Sequence, residues 1–139
     1  MFTLHPQLSK DCLAIGQYDL CQLLLMNDRQ YPWFILVPQR EDISEIYQLT
    51  RSDQVQLWRE SADLSEALAR HFSADKMNVA ALGNVVPQLH VHHIVRYRND
   101  PAWPAPVWGK LPAVPYSETE LTHLLTQLAP VLGAQLSIA

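Results

Sequence analysis

Three apolar runs of strand length follow one another near the start of the chain, Cys12 to Ile15, Leu20 to Met26 and Trp33 to Val37. The six residues between the last two, Asn27-Asp-Arg-Gln-Tyr-Pro32, are of hairpin-turn type, so the segment is expected to fold as an antiparallel meander. Arg40 to Thr50 is mixed and polar, with Ile43, Ile46 and Leu49 at helical spacing. Ser52 then offers an N-cap for a longer helix. From Asp53 to about Phe72, the residues Val55, Trp58, Ala62, Ala69 and Phe72 recur at steps of three, four and seven, and Leu57, Leu64 and Leu68 widen that stripe. Met77 to Leu82 and Leu89 to Tyr97 read as two more strands. Ser117-Glu-Thr-Glu120 is a capping box opening a short helix over 118–128. About five strands, one long helix and a short C-terminal helix predict an α+β fold with a mostly antiparallel sheet.

The chemistry concentrates in Gln88-Leu-His90-Val-His92-His93. In an extended strand this spacing aims Gln88, His90 and His92 at one face and Leu89, Val91 and His93 at the other. Leu82-Gly-Asn-Val-Val-Pro87 just upstream reads as a tight turn delivering the chain into that strand. An imidazole titrates near neutrality, so it serves as nucleophile, general acid or metal ligand without large tuning. Three readings stand on the residues alone. The two imidazoles bind zinc, or one attacks an electrophile while the other protonates the leaving group, or both are ordinary surface groups.

The 139 residues, 48% hydrophobic and 17% charged, are expected to form a single domain over 1–139, with a core at about 12–97 and the helix at 118–128. Between them lies a Pro- and Trp-rich strap over 101–115. Pro101, Pro104 and Pro106 exclude a helix interior or a central strand there, and Trp103 and Trp108 either anchor the strap by packing or wall a pocket beside the histidines. A net charge of -4 and a pI near 5.8 argue against nucleic acid held by bulk electrostatics. No apolar run approaches the roughly 20 residues that span a bilayer, and the first ten residues lack a secretory pattern, so a cytoplasmic protein without a membrane partner is expected. Cys12 and Cys21 lack metal-clip spacing and are expected to be a reduced, buried pair without a role.

The segment from Leu82 to Arg96 resembles the signature of the histidine triad (HIT) superfamily, in which His-x-His-x-His follows a Gly-Gln or Gly-Asn turn. Leu23 to Asn27 followed by Phe34 to Pro38 is similar to the family's first hairpin, Asp53 to Phe72 stands where it has its long helix, and Trp-Pro-x-Pro-Val-Trp-Gly resembles a bacterial HIT subgroup. The resemblance implies a dimeric α+β hydrolase or transferase that works on nucleoside phosphates through a covalent nucleotidyl-histidine. Carried over, His90 is the nucleophile, His92 and Gln88 hold phosphate oxygens, Asn27 meets the ribose and Asn84 the phosphates. No cofactor or metal is implied.

Departures from the pattern accompany it. Gln88 replaces the first histidine and never titrates, Val85 stands where a hydroxyl is common, Trp33 where a histidine supports the nucleophile, and the turn after Asn27 is short. These departures favour the alternative of a catalytically impaired nucleotide-binding module. A zinc site on His90 and His92 lacks an evident third ligand. His93, pointing to the other face, is expected to be a hydrogen-bonded structural residue. His5, His71 and His123 are expected to be surface or local structure, and Asn78 carries little signal. A C2 homodimer is expected, with the strap near the subunit boundary.

Overall fold

A computed structural model describes residues 1–133 and 135–136. In chain order it contains α1 (Pro6–Asp11), β1 (Cys12–Gln17), β2 (Cys21–Met26), β3 (Trp33–Pro38), α2 (Arg51–Phe72), β4 (Lys76–Ala80), β5 (Val91–Arg96), α3 (Glu118–Leu128) and β6 (Gln135–Leu136). The strands form one sheet in the order β4-β5-β3-β2-β1-β6, with every pair antiparallel. The α+β architecture is the expected one, and the two-residue β6 adds a sixth strand. The polar stretch before α2 contains only a 3-10 turn at Ile46–Gln48.

The long helix starts two residues earlier than Ser52 suggests. Thr50 is the N-cap, its hydroxyl oxygen accepting the Asp53 amide at 3.1 Å, because that oxygen meets the third residue of the helix. The buried row of α2 also differs from the expected one. Leu57, Glu60, Ser61, Leu64 and Leu68 face the sheet, whereas Val55 and Trp58 are 58% and 52% exposed. Glu60 is tolerated inside because its carboxylate accepts the Leu20 and Cys21 amides at 2.9 Å each, so the buried charge is hydrogen-bonded. Ser61 is used by His93, as described below.

Both faces of the sheet are covered. On one, Leu23, Leu25, Phe34, Leu36, Val91 and Val95 pack against Leu57, Leu64 and Leu68 of α2. On the other, Leu24, Ile35, Val37 and Ile94 pack against Leu8 of α1 and against Ala102 and Val107 of the strap. This explains why β3 is apolar throughout instead of alternating. The chain thus covers this second face with its own α1 and strap.

The strap is pinned by a buried charge pair. Arg96, 1% exposed at the end of β5, donates from Nε and Nη2 to the Asp100 carboxylate at 2.8 and 3.1 Å, from Nη1 to Asn78 Oδ1 at 2.8 Å and from Nη2 to the Ala105 carbonyl at 2.9 Å. Its guanidinium carbon lies 5.5 Å from the Trp103 ring centroid. Asp100 further accepts the amides of Tyr97, Ala102 and Trp103. Burial alone would raise the Asp100 carboxyl, but Arg96 and these amides outweigh it and hold it below the ordinary range. Among the described residues, no helix is long and apolar enough to cross a membrane.

Arg96→Ala should cost about 3–5 kcal/mol in urea denaturation, because it leaves the Asp100 carboxylate buried without its cation. The depressed Asp100 pKa adds stability that is present above the unfolded carboxylate value and lost as pH falls through the lower folded value. Asp100→Asn should therefore flatten the acid end of the stability profile while lowering stability at pH 7.

Candidate functional site

Strand β5 alternates sharply between two chemistries. Val91, His93 and Val95 belong to the α2 face, whereas His92, Ile94 and Arg96 face α1 and the strap. The regular strand begins at Val91, so Gln88, Leu89 and His90 lie in the entering loop and the expectation of a strand from Leu89 is corrected. His90 still joins His92, their ring centroids 4.9 Å apart. Pro87, which has no amide proton to give a ladder, precedes the loop.

The three adjacent imidazoles have three different settings. His90 Nδ1 lies 2.7 Å from the Gln88 carbonyl, an acceptor, so this nitrogen carries the proton and Nε2 presents its lone pair. His92 Nδ1 lies 3.0 Å from Trp33 Nε1, a donor, so here the proton is on Nε2. His93 donates from Nδ1 to the Val91 carbonyl at 3.0 Å and accepts the Ser61 hydroxyl at Nε2 at 2.7 Å, which uses both of its nitrogens inside the core. Desolvation lowers all three. The Gln88 carbonyl partly offsets it at His90, the neighbouring His90 and His93 deepen it at His92 to about 3, and the Val91 carbonyl opposes it at His93, which reaches about 4.

His90 and His92 line a cavity of about 280 Å³ with Leu8, Met26, Trp33, Leu82 to Val86 and Trp108. Trp108 stands edge-on to His92 at 5.0 Å and to Trp33 at 5.7 Å between ring centroids. The strap thus packs and walls the pocket of its own chain at once. Gly83, at φ +77° in the left-handed region that favours glycine, turns the upstream loop so that Asn84 and Val85 form the opposite wall. Asn84 is exposed there and lines the cavity.

Gln88 and Asn27 are placed differently. Gln88 does not line this cavity. Its Oε1 accepts the His5 amide at 2.8 Å and its Nε2 donates to the Thr3 carbonyl at 2.9 Å, tying the N-terminal segment to the histidine loop. It lines a neighbouring hollow with Ser44, Tyr47, Leu82 and His90. Asn27 lies in an adjoining hollow of about 380 Å³ that shares Asp11, Met26, Trp33 and Trp108 with the main cavity, and its Oδ1 accepts the Tyr116 amide at 2.9 Å.

The contribution of Trp33 to His92 and of α1 to the wall was not anticipated. The signal for α1 was Pro6 at the first helical position after His5, whose Nδ1 accepts the Gln7 amide at 3.1 Å. Cys12 and Cys21 are free and buried, and burial pushes Cys12 up to about 12. Among the described residues, no group of three or more His, Cys, Asp or Glu stands where it could hold a metal ion.

A family model described as HIT domain matches residues 7–99. A histidine triad protein from Marinobacter aquaeolei is similar at 55% identity, with a TM-score of 0.93 over 95% of this chain and 96% of that one. One from Bradyrhizobium japonicum is 42% identical, with a TM-score of 0.92 over 94% and 98% of the two chains. A HIT protein from Sinorhizobium meliloti is 46% identical, with a TM-score of 0.92 over 95% and 98%. Comparison with curated proteins finds no match.

The low settings of His92 and His93 have a stability consequence. Unfolded histidine titrates near 6.5, so between pH 7 and 5 the unfolded chain gains protons that the folded rings refuse. Urea midpoints should fall over that interval, with each of the two rings contributing up to about 2 kcal/mol. His93→Phe together with Ser61→Ala should remove the His93 share, up to about 2 kcal/mol of the fall.

Proposed function

The chain belongs to the HIT domain family, whose members are nucleotide-binding hydrolases and transferases, and from the geometry at His90 we propose that it cleaves nucleoside phosphates at the α-phosphate through a covalent nucleotidyl-histidine. The observation that carries this reading is the 2.7 Å bond from His90 Nδ1 to the Gln88 carbonyl. It leaves Nε2 unprotonated, and lowering of the ring by burial keeps it neutral at physiological pH. A neutral imidazole aimed into a cavity is what attack on phosphorus requires.

The other roles follow from donor chemistry. His92 presents its Nε2–H beside His90, and Asn84, which carries an amide NH2, lines the same cavity, so both suit the oxygens on which charge builds. The apolar wall of Leu8, Met26, Trp33 and Trp108 suits a nucleobase and its ribose. Asn27, with its oxygen taken by Tyr116, has the amide NH2 to offer a ribose hydroxyl in the adjoining hollow. Gln88 acts here through its main chain, whose carbonyl orients His90, while its side chain holds the N-terminal segment against the loop.

For assembly, we propose a two-fold dimer through the free edge of β4, where Val79 is 42% exposed, together with the outward row of α2 that carries Val55 and Trp58. A free strand edge beside exposed apolar side chains is a surface a self-complementary patch protects. Light scattering should give twice the chain mass, and Val79→Lys combined with Trp58→Ser should return the monomer.

His90→Ala should fold normally and lose turnover by roughly three orders of magnitude or more in a panel of nucleoside polyphosphates and phosphoramidates. Wild-type protein incubated with substrate and denatured under alkaline conditions, in which a P–N bond survives, should carry phosphorus on His90. Tight binding of nucleoside monophosphates without turnover or labelling would identify a binding module instead.

A further inference from the structure

What leaves the α-phosphate is constrained by a tryptophan, and the argument rests on the functional reading above. An indole N–H only donates, so the bond from Trp33 Nε1 takes the lone pair of His92 Nδ1. The one proton of His92 then resides on Nε2. A second proton would set an imidazolium N–H against the indole N–H inside a buried pocket, where an unpaired charge is costly. His92 is thereby a permanent neutral donor, able to stabilise an oxyanion and unable to behave as an acid.

Other groups around the cavity do not supply the missing proton. The His90 Nδ1–H is held by the Gln88 carbonyl. Gln88 carries a non-titrating amide. His93 is on the far face, bonded to Ser61 and Val91. His5 turns its Nδ1 to the Gln7 amide and does not line the cavity. Asp11 of α1 is an exposed side chain whose Oδ2 accepts the Gln7 side-chain amide at 2.9 Å, and Lys10, Glu45 and Tyr47 line only the adjoining hollows, not this cavity.

We infer that Trp33 is the positioning residue that fixes His92 as a neutral donor, and that the site consequently takes nucleoside phosphoanhydrides, whose leaving group departs as a stable anion, in preference to phosphoramidates and alkyl esters. The His90 Nε2 lone pair forms the N–P bond while the P–O bond to the leaving phosphate breaks, the electron pair going to that oxygen. The ring keeps its Nδ1 proton and carries the positive charge. Water then bonds to phosphorus, the N–P pair returns to Nε2, and the proton of the water passes to solvent as the nucleoside monophosphate is released.

Long-range 1H–15N spectra of the histidine rings read the tautomer directly in the wild-type protein. A single Nε2–H form of His92 is expected from about pH 5 to 8, in line with its setting near 3. Trp33→Phe should mix the tautomers and raise the pH at which the ring titrates, a change that loss of packing alone does not produce. In a series of nucleoside 5′-phosphate aryl esters, turnover should fall by up to about tenfold for each unit of phenol pKa, since charge on the departing oxygen goes unquenched.

A flat ester series, a phosphoramidate turned over as fast as the matching anhydride, or a wild-type Nδ1–H form of His92 would each overturn the inference and leave the covalent role of His90 standing. Absence of turnover with every substrate and of phosphorus on His90 would defeat the functional reading, and the inference with it. The wild-type spectra and the ester series do not depend on whether Trp33→Phe folds.

Discussion

The buried guanidinium of Arg96 organises the side of the sheet on which the site lies. It sits at the last residue of β5, four positions beyond His92 on the same face, and four of its five N–H donors are matched by Asp100, Asn78 and the Ala105 carbonyl. A buried pair of this kind contributes little net stability over an apolar alternative, because desolvation of both charges offsets their attraction. Its value lies in geometry. Asp100 collects three backbone amides of the strap as well as the arginine, so the proline-rich chain leaves the strand in one direction only. That direction carries Val107 into the core and Trp108 onto His92.

The same strand shows how a two-residue period distributes chemistry. His92 and His93 are chemically identical and adjacent, yet one faces a cavity and the other an α-helix. The helix face would ordinarily receive an apolar residue. Here Ser61 of α2 supplies a hydroxyl at 2.7 Å and the strand supplies its own carbonyl, so the polar ring is satisfied without water. Across the sheet β3 alternates in step, with Trp33 and Ile35 on the site face and Phe34 and Leu36 beneath α2. Trp33 can therefore reach His92 only because the register pairs Trp33 with Ile94 and Ile35 with His92.

Much of this was legible in the chain. Apolar runs with a turn between them specify the first hairpin, Ser117 to Glu120 forms the reciprocal cap its spacing implies, and the histidine motif with its glycine turn marks the site. The buried face of α2 was not legible, for a physical reason. Glu60 and Ser61 occupy core positions, which interrupts the apolar row and leaves Val55, Trp58 and Ala62 as the more regular pattern, although Val55 and Trp58 face solvent. Only the partners of Glu60 and Ser61, which come from the start of β2 with the residue before it and from β5, make those positions inhabitable. Six-residue α1 is too short for periodicity to reveal, and the two-residue β6 carries no pattern at all.

Gln88 is the clearest case of a residue whose identity says less than its bonds. Read by position it replaces a titrating group of the triad. In the folded chain its side chain bridges 83 and 85 positions of sequence to the backbone of His5 and Thr3. A histidine at that position would lack the paired carbonyl and amide ends that grip a donor and an acceptor of the same segment at once. Anchoring the N-terminal segment in turn sets the start of α1, whose Leu8 lines the cavity together with Trp108. The Gln88 side chain thus fixes the cavity wall through the N-terminal segment. Proton control in the pocket then rests with the two partners that set His90 and His92: a carbonyl and an indole.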